Sequence, residues 1–250
     1  MSAASGLGPG SLVVVTGAGG PAGTAMVQAL VATGASVVGA DRRQEPLDVV
    51  AATLGDAASL FTGSVVDLLD AEATRAWADG VAASHPSGTP RVDGVVHLVG
   101  GWRGGSRFTD NTVADSELML DLLVRTLQHV SLSFHDHLLA STRSEFVIVS
   151  AMAAEKPTAG NAAYAAAKAA AEAWTAALAD SFGKEQKDSP ATAAATTLVV
   201  KALVHDAMRA ADPDKTFPGY TDVVDLAAET VALWALDAAT ANGLRKVLVP

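Results

Sequence analysis

Short apolar runs alternate along the chain with longer stretches of helical periodicity. Residues 11–15, 35–40, 61–66, 92–99, 146–150, 195–200 and 246–249 read as strands. Most are rich in β-branched residues and carry no polar face, which suits strands buried on both sides of a parallel sheet. Between the first two runs a helical pattern passes through Met26, Leu30 and Val31 and stops at Gly34, a C′ glycine. Asp70 is positioned as the N-cap of a helix through Trp77 and Val81. Residues 116–140 put Leu120, Leu123, Val124, Leu127, Phe134 and Leu138 mostly on one stripe, and 161–180 and 222–236 complete the helices. Residues 85–90 and 183–190 are polar loops. Strands and helices alternate from end to end, with no repeat and no linker. The expectation is one α/β domain over 1–250, a doubly wound parallel sheet of about seven strands with helices on both faces. Residues 201–220, with Pro213, Pro218 and Gly219, are long and irregular, a candidate substrate lid within that domain.

Composition narrows the partners. Half of the 250 residues are hydrophobic, enough for a large core, and the net charge is −10. So acidic a chain has no electrostatic case for binding nucleic acid or an anionic membrane. Without cysteine there is no disulfide and no thiolate ligand or nucleophile. Residues 1–10 lack the basic region of a signal peptide, and no apolar run reaches the ~18 residues a membrane span needs. A soluble cytoplasmic protein is the resulting expectation.

The first strand runs into T-G-A-G-G-P-A-G over 16–23, a helix follows, and the second strand ends on Asp41. This is the layout of a dinucleotide-binding βαβ unit, so the sheet is expected to be of Rossmann type. Glycines let the backbone approach a pyrophosphate, and the helix N-terminus offers it free N–H groups. Asp41 can accept hydrogen bonds from both adenosine ribose hydroxyls and would repel a 2′-phosphate. That favours NAD(H) over NADP(H), although Arg42 and Arg43 could pair with such a phosphate. A second glycine cluster, G-G-W-R-G-G over 100–105, follows the fourth strand on the same sheet edge, where open α/β sheets bind ligands. Tyr164 and Lys168 are four apart in an alanine-rich helix and therefore share a face, a phenol beside an ammonium. His129, His135 and His137 lie on the long helix. Two histidines two apart do not share a face, which argues against a metal site and leaves them facing solvent or an oligomer interface.

Together these motifs resemble the short-chain dehydrogenase/reductase family over nearly the whole chain. The family's T-G-x-x-x-G-x-G falls on Thr16 to Gly23 with Pro21 in place of its middle glycine. The acid of its third-strand motif falls on Asp67, followed by Leu68, near adenine. Its N-N-A-G falls on His97, Leu98, Val99 and Gly100, and its Y-x-x-x-K on Tyr164 and Lys168. The resemblance implies cofactor contacts from Gly17, Gly19, Gly20, Pro21, Ala22, Gly23, Asp41, Asp67, Leu68, Val99, Gly100 and Lys168. It implies Tyr164 and Lys168 as the catalytic pair, no metal, and a homodimer or homotetramer through paired long helices. The expected activity is hydride transfer between a nicotinamide and a carbonyl or quinonoid small molecule. Lys168 and the nicotinamide's charge would lower the phenol from its ordinary pKa of ~10.

Several positions depart from the family pattern. The catalytic serine's place is Ala151. Ser150 is one residue off, which on a strand means the opposite face unless a bulge intervenes. The long helix lacks the relay asparagine, and Arg125 falls nearest its place. Lys201 and Ala202 replace the Pro-Gly after the sixth strand. The glycine cluster around Trp102, the alanine at the serine position and the run from His205 to Met208 are similar to the dihydropteridine reductase branch, which reduces a quinonoid substrate with NADH. Trp102 would either stack on a flat substrate or pack in the core. The alternative to an enzyme is a dinucleotide-binding protein with little or no catalysis, a sensor or an assembly subunit.

Overall fold

The computed structural model describes residues 6–248; the expected terminal strand's last residue, Val249, and the first five of residues 1–10 lie outside it. The strands are β1 (Leu12–Thr16), β2 (Ser36–Asp41), β3 (Phe61–Val65), β4 (Gly94–His97), β5 (Ser144–Ala151) and β6 (Ala193–Val200), then a short pair, β7 (Leu203–Val204) and β8 (Thr221–Asp222), and finally β9 (Arg245–Val247). Seven of them form one sheet in the order β3-β2-β1-β4-β5-β6-β9, with every pairing parallel. The chain leaves β3 at one edge and re-enters at β4, on the far side of β1. The switch point therefore lies between β1 and β4, and a crevice opens beyond their C-terminal ends.

The helices are α1 (Pro21–Ala32), α2 (Gln44–Thr53), α3 (Ala71–Ala83), α4 (Val113–Leu120), α5 (Thr126–Leu139), α6 (Ala162–Glu185), α7 (Asp206–Ala211), α8 (Val223–Ala232) and α9 (Ala238–Ala241). They cover both faces, and β1 shows why its apolar run is unbroken. Val13 and Val15 point into the core under α1, α2 and α8, while Leu12 and Val14 point into the core under α3, α5 and α6. Each of these side chains is buried, a contribution of ~1.5–3 kcal/mol apiece. Asp70 caps α3 by accepting from the amides of Glu72 and Ala73, both at 3.0 Å. Gly34 follows α1 with φ +88°.

The structure refines three expectations from the sequence. The long helix begins at Val113 and is broken by a π-turn over Asp121–Arg125, where the Thr126 hydroxyl turns back to the Leu122 carbonyl at 2.8 Å. The next long helix runs on to Glu185 and absorbs Gly183 from the expected loop. Residues 201–220 are not structureless: β7, paired with β8, begins the segment, α7 follows, and the Thr221 amide donates to Ala202 O at 2.9 Å.

Candidate active site

The glycine turn closes tightly over the β1–β4 crevice. Gly17 has φ +72°, and a Cβ there would lie 3.0 Å from the backbone of Leu98 and Val99, so only glycine fits. Its amide and that of Ala18 both donate to Ala40 O, at 2.9 and 3.1 Å, tying the turn to β2. A Cβ on Gly23 would run into the Gly17 carbonyl and Ala18, so α1 can lie against the turn only with glycine there. Pro21 disturbs nothing. It is the first residue of α1, where an N–H has no partner within the helix and the fixed φ is already helical. The first turn of α1 carries no acidic side chain, leaving its positive end to an anion.

Two adjoining cavities share Leu98, Val99 and Gly100 as a common wall. The smaller, about 250 Å³, is lined by Gly17, Gly20, Asp41, Arg42, Asp67 and Leu68 among others. Asp41 Oδ1 accepts from the amides of Arg42 and Arg43 at 2.8 and 3.3 Å, which holds the carboxylate at the tip of β2. Gly19 lines neither cavity and instead leaves room for Asp41 and Pro46. The larger, about 900 Å³, is lined by Pro21, Ala22, Tyr164 and Lys168. A dinucleotide with one end at Asp41 and the other at Tyr164 fits this arrangement: a glycine cradle, a helix N-terminus and an acid at the strand tip.

Tyr164 and Lys168 stand on the first two turns of α6. Lys168 Nζ is 5.9 Å from the centre of the Tyr164 ring and donates to Val149 O at 2.6 Å. Burial pulls the Lys168 ammonium down to about 8, partly opposed by the negative charge of Glu172 one turn on. Tyr164 lines the cavity, and among the described residues no side chain or backbone group bonds its hydroxyl. In the protein alone, burial pushes that phenol up to about 12, opposite to the lowering expected from its lysine.

The remaining positions around the pair divide clearly. Ala151 is buried at the end of β5. Ser150 lines the larger cavity, no bulge interrupts the β5–β6 register at it, and its hydroxyl donates to Glu172 Oε1 at 2.6 Å. Glu172 is held in turn by Arg245 Nε at 2.8 Å. Arg125 is exposed on the π-turn, pairs with Asp121 and lines neither cavity. His97 is buried between Thr16 Oγ1, 2.8 Å from Nδ1, and Thr126 Oγ1, 3.3 Å from Nε2. Burial, helped by the charge of Lys168, lowers its pKa to about 3, so it is a neutral strut joining β1, β4 and α5. His135 bonds Asp136 and Ser181 and stacks on Phe182, and His137 bonds Asp79, so both are part of the packing.

The second glycine cluster divides: Gly100 and Gly101 line the larger cavity, and Gly104 and Gly105 pack on Gly160. The Gly105 amide donates to Gly160 O at 2.8 Å, and a Cβ on Gly160 would collide with the Gly105 carbonyl. Asn111 Nδ2 adds a bond to Ala159 O at 2.8 Å. This docks the loop against the start of α6 and brings Trp102 to the larger cavity, 55% exposed and outside the core. The same cavity gathers Asn161, Lys201, His205, Met208 and Tyr220, none of which the sequence pattern singled out as site residues. The visible signals were the missing Pro-Gly at Lys201, the irregular segment 201–220 and the run from His205 to Met208.

A model of the short chain dehydrogenase family matches residues 11–197. A serine 3-dehydrogenase from Rhizobium radiobacter is 32% identical over 160 residues, 63% of this chain. The match spans 60% of that relative's length. Among solved structures, a short-chain type dehydrogenase/reductase from Mycobacterium ulcerans superposes with TM-score 0.83 at 22% identity, covering 96% of this chain and 89% of its own. An NAD+-bound xylitol dehydrogenase gives 0.82 at 18% identity, and a short chain dehydrogenase from Shigella flexneri complexed with NADP gives 0.82 at 20%. Each of these two covers 96% of this chain and 98% of its own. At such identities the likeness is one of fold. Among the described residues no helix is long and apolar enough to cross a membrane, and no cluster of three or more His, Asp or Glu could hold a metal ion.

Proposed function

The chain belongs to the short chain dehydrogenase family, and on that premise we propose an NAD(P)-dependent oxidoreductase that moves a hydride between a nicotinamide and a carbonyl or quinonoid small molecule. The observation that carries this is the meeting, in one crevice, of the glycine turn, Asp41 and the Tyr164–Lys168 pair. When bound, the nicotinamide supplies or takes up the hydride. Gly17, Gly20, Pro21, Ala22 and the α1 N-terminus hold the diphosphate. Asp41, Asp67 and Leu68 hold the adenosine, and Val99, Gly100 and Lys168 hold the nicotinamide ribose. Gly19 and Gly23 support the turn. Tyr164 gives its phenol proton to the acceptor's oxygen, and the Lys168 ammonium stabilises the phenolate left behind. NAD(H) is preferred, because the Asp41 carboxylate would face a 2′-phosphate.

The acceptor is already activated. Ala151 offers no hydroxyl, and Ser150 is committed to Glu172. Losing one such donor costs ~10²–10³ in rate for a substrate that needs it, so a conjugated carbonyl or quinonoid fits best, as in the dihydropteridine reductase branch. The relative's named substrate, serine, is not carried over. Its ammonium would meet no acidic side chain in the larger cavity. Residues 201–220 act as the lid over this cavity. A homodimer or homotetramer forms through the long helices, where Leu118 and Leu132 are exposed.

Fluorescence titration with NADH and NADPH, followed by NADH oxidation with a panel of quinonoid, diketone and quinone acceptors, tests the proposal. Tighter NADPH binding would overturn the cofactor assignment. Tight NADH binding with no turnover on any acceptor would sink the enzyme reading and favour a dinucleotide-binding protein.

A further inference from the structure

The larger cavity is basic in an acidic protein. The chain carries 27 Asp and Glu against 17 Lys and Arg, yet among the described residues no carboxylate lines this cavity, while Lys168, Lys201, His97 and His205 do. Lys168 is committed to Val149 O and its place beside Tyr164, and His97 is a neutral strut. Lys201 is different. It follows the last residue of β6 and lines the cavity. Its Nζ donates to Pro218 O at 2.7 Å and lies 5.7 Å from the centre of the Tyr220 ring. One carbonyl takes one of its three N–H groups, and among the described residues no carboxylate pairs with it. Of the nearby acids, Asp222 and Asp206 pair with Arg209 at 2.6 and 3.4 Å, and Asp212 and Asp214 are exposed and do not line the cavity. An ammonium held by a carbonyl and an aromatic face keeps its charge and its remaining donors for an incoming anion.

We propose that the acceptor is a flat small molecule carrying a carboxylate, held by Lys201 with His205 beside it and stacked on Trp102. This rests on the reading of Tyr164 and Lys168 as the reactive end of the same cavity. A cavity wall with only basic charge attracts a carboxylate and repels a cationic substrate. Trp102, 55% exposed, offers the aromatic face. The diphosphate of the cofactor is the other anion that Lys201 could meet, because Pro21 and Ala22 line the same cavity.

The test measures binding of 4-formylbenzoate and of its neutral isostere 4-formylbenzamide to the NADH-loaded protein by calorimetry, in the parent, Lys201→Met and Lys201→Arg. NADH affinity and NADH oxidation are measured alongside. The expected result is at least ~10-fold tighter binding of the carboxylate, by the ~1.5–3 kcal/mol of a charged hydrogen bond. That preference disappears in Lys201→Met and survives in Lys201→Arg, while NADH affinity changes by less than about twofold. Equal binding of acid and amide to the parent overturns the proposal. So does a loss of NADH affinity in Lys201→Met that matches the loss of carboxylate binding, which would assign the lysine to the diphosphate. A carboxylate preference without any NADH oxidation keeps the carboxylate site at Lys201 and removes the catalytic reading of Tyr164 and Lys168.

Discussion

His97 should make the fold sensitive to mild acid. Its folded-state pKa is about 3 against 6.5 for the free side chain, because burial and the nearby Lys168 charge disfavour the imidazolium. Below pH 6.5 the unfolded chain binds a proton at this position that the folded chain refuses. Stability is therefore complete above 6.5 and falls as the pH drops toward 3. At pH 5 about 1.5 units of that window have been crossed, and at 1.36 kcal/mol per unit the loss is ~2 kcal/mol. Carboxylates titrate in the lower part of the same range, so a single curve is ambiguous and a difference is needed. Urea unfolding at pH 7.5 and 5.0, for the parent and for His97→Asn, isolates the imidazole. The amide retains a donor and an acceptor for Thr16 and Thr126 but has no proton to gain. The parent should lose ~2 kcal/mol more than the variant between the two pH values. Equal losses in the two proteins would refute the placing of a neutral imidazole in the centre of the sheet edge.

Gly160→Ala drives a methyl group into the Gly105 carbonyl, so the Trp102 loop must lift from α6. Stability should fall by ~1–3 kcal/mol in urea titration, and acceptor KM should rise more than NADH Kd. Glu172→Gln removes the charge that opposes the lowering of Lys168 by burial, so the Lys168 pKa drops further below about 8. Followed by fluorescence between pH 6 and 9, the alkaline loss of NADH binding should begin at lower pH than in the parent. An unchanged midpoint would show that Glu172 serves only Ser150 and Arg245.

Much of the fold was legible because the buried strands carry their burial in their composition. The unbroken apolar run before the glycine turn could only be a strand covered on both faces, and the acid after the second run marked its C-terminal tip. The site was readable wherever a backbone constraint leaves a residue type behind, as at Gly17, Gly23 and the Tyr164–Lys168 spacing. It was not readable where a role depends on which neighbour arrives from elsewhere in the chain. Ser150 looked like a candidate donor until Glu172, twenty-two residues later on α6, took its hydroxyl. The glycine cluster around Trp102 was read as part of the ligand-binding sheet edge, where Gly100 and Gly101 line the larger cavity, but the backbone of Gly160 that Gly104 and Gly105 pack against came from elsewhere in the chain. The lowering expected for Tyr164 counted the charges of Lys168 and a bound nicotinamide, and the burial that raises it in the protein alone comes only with the packed structure. Lys201 was noted as a missing Pro-Gly, and its place beside Tyr220 follows from the short β7–β8 pairing.

The central claim is that Tyr164 moves a proton in a reaction driven by the bound nicotinamide. Tyr164→Phe removes the hydroxyl and keeps the ring, and the phenol makes no bond within the described protein that the change would break. The account predicts that kcat for NADH oxidation with an activated acceptor falls by ~10²–10⁴, while NADH Kd changes by less than about twofold. A variant that turns over at the parent's rate, or that loses NADH binding in proportion to activity, would contradict it.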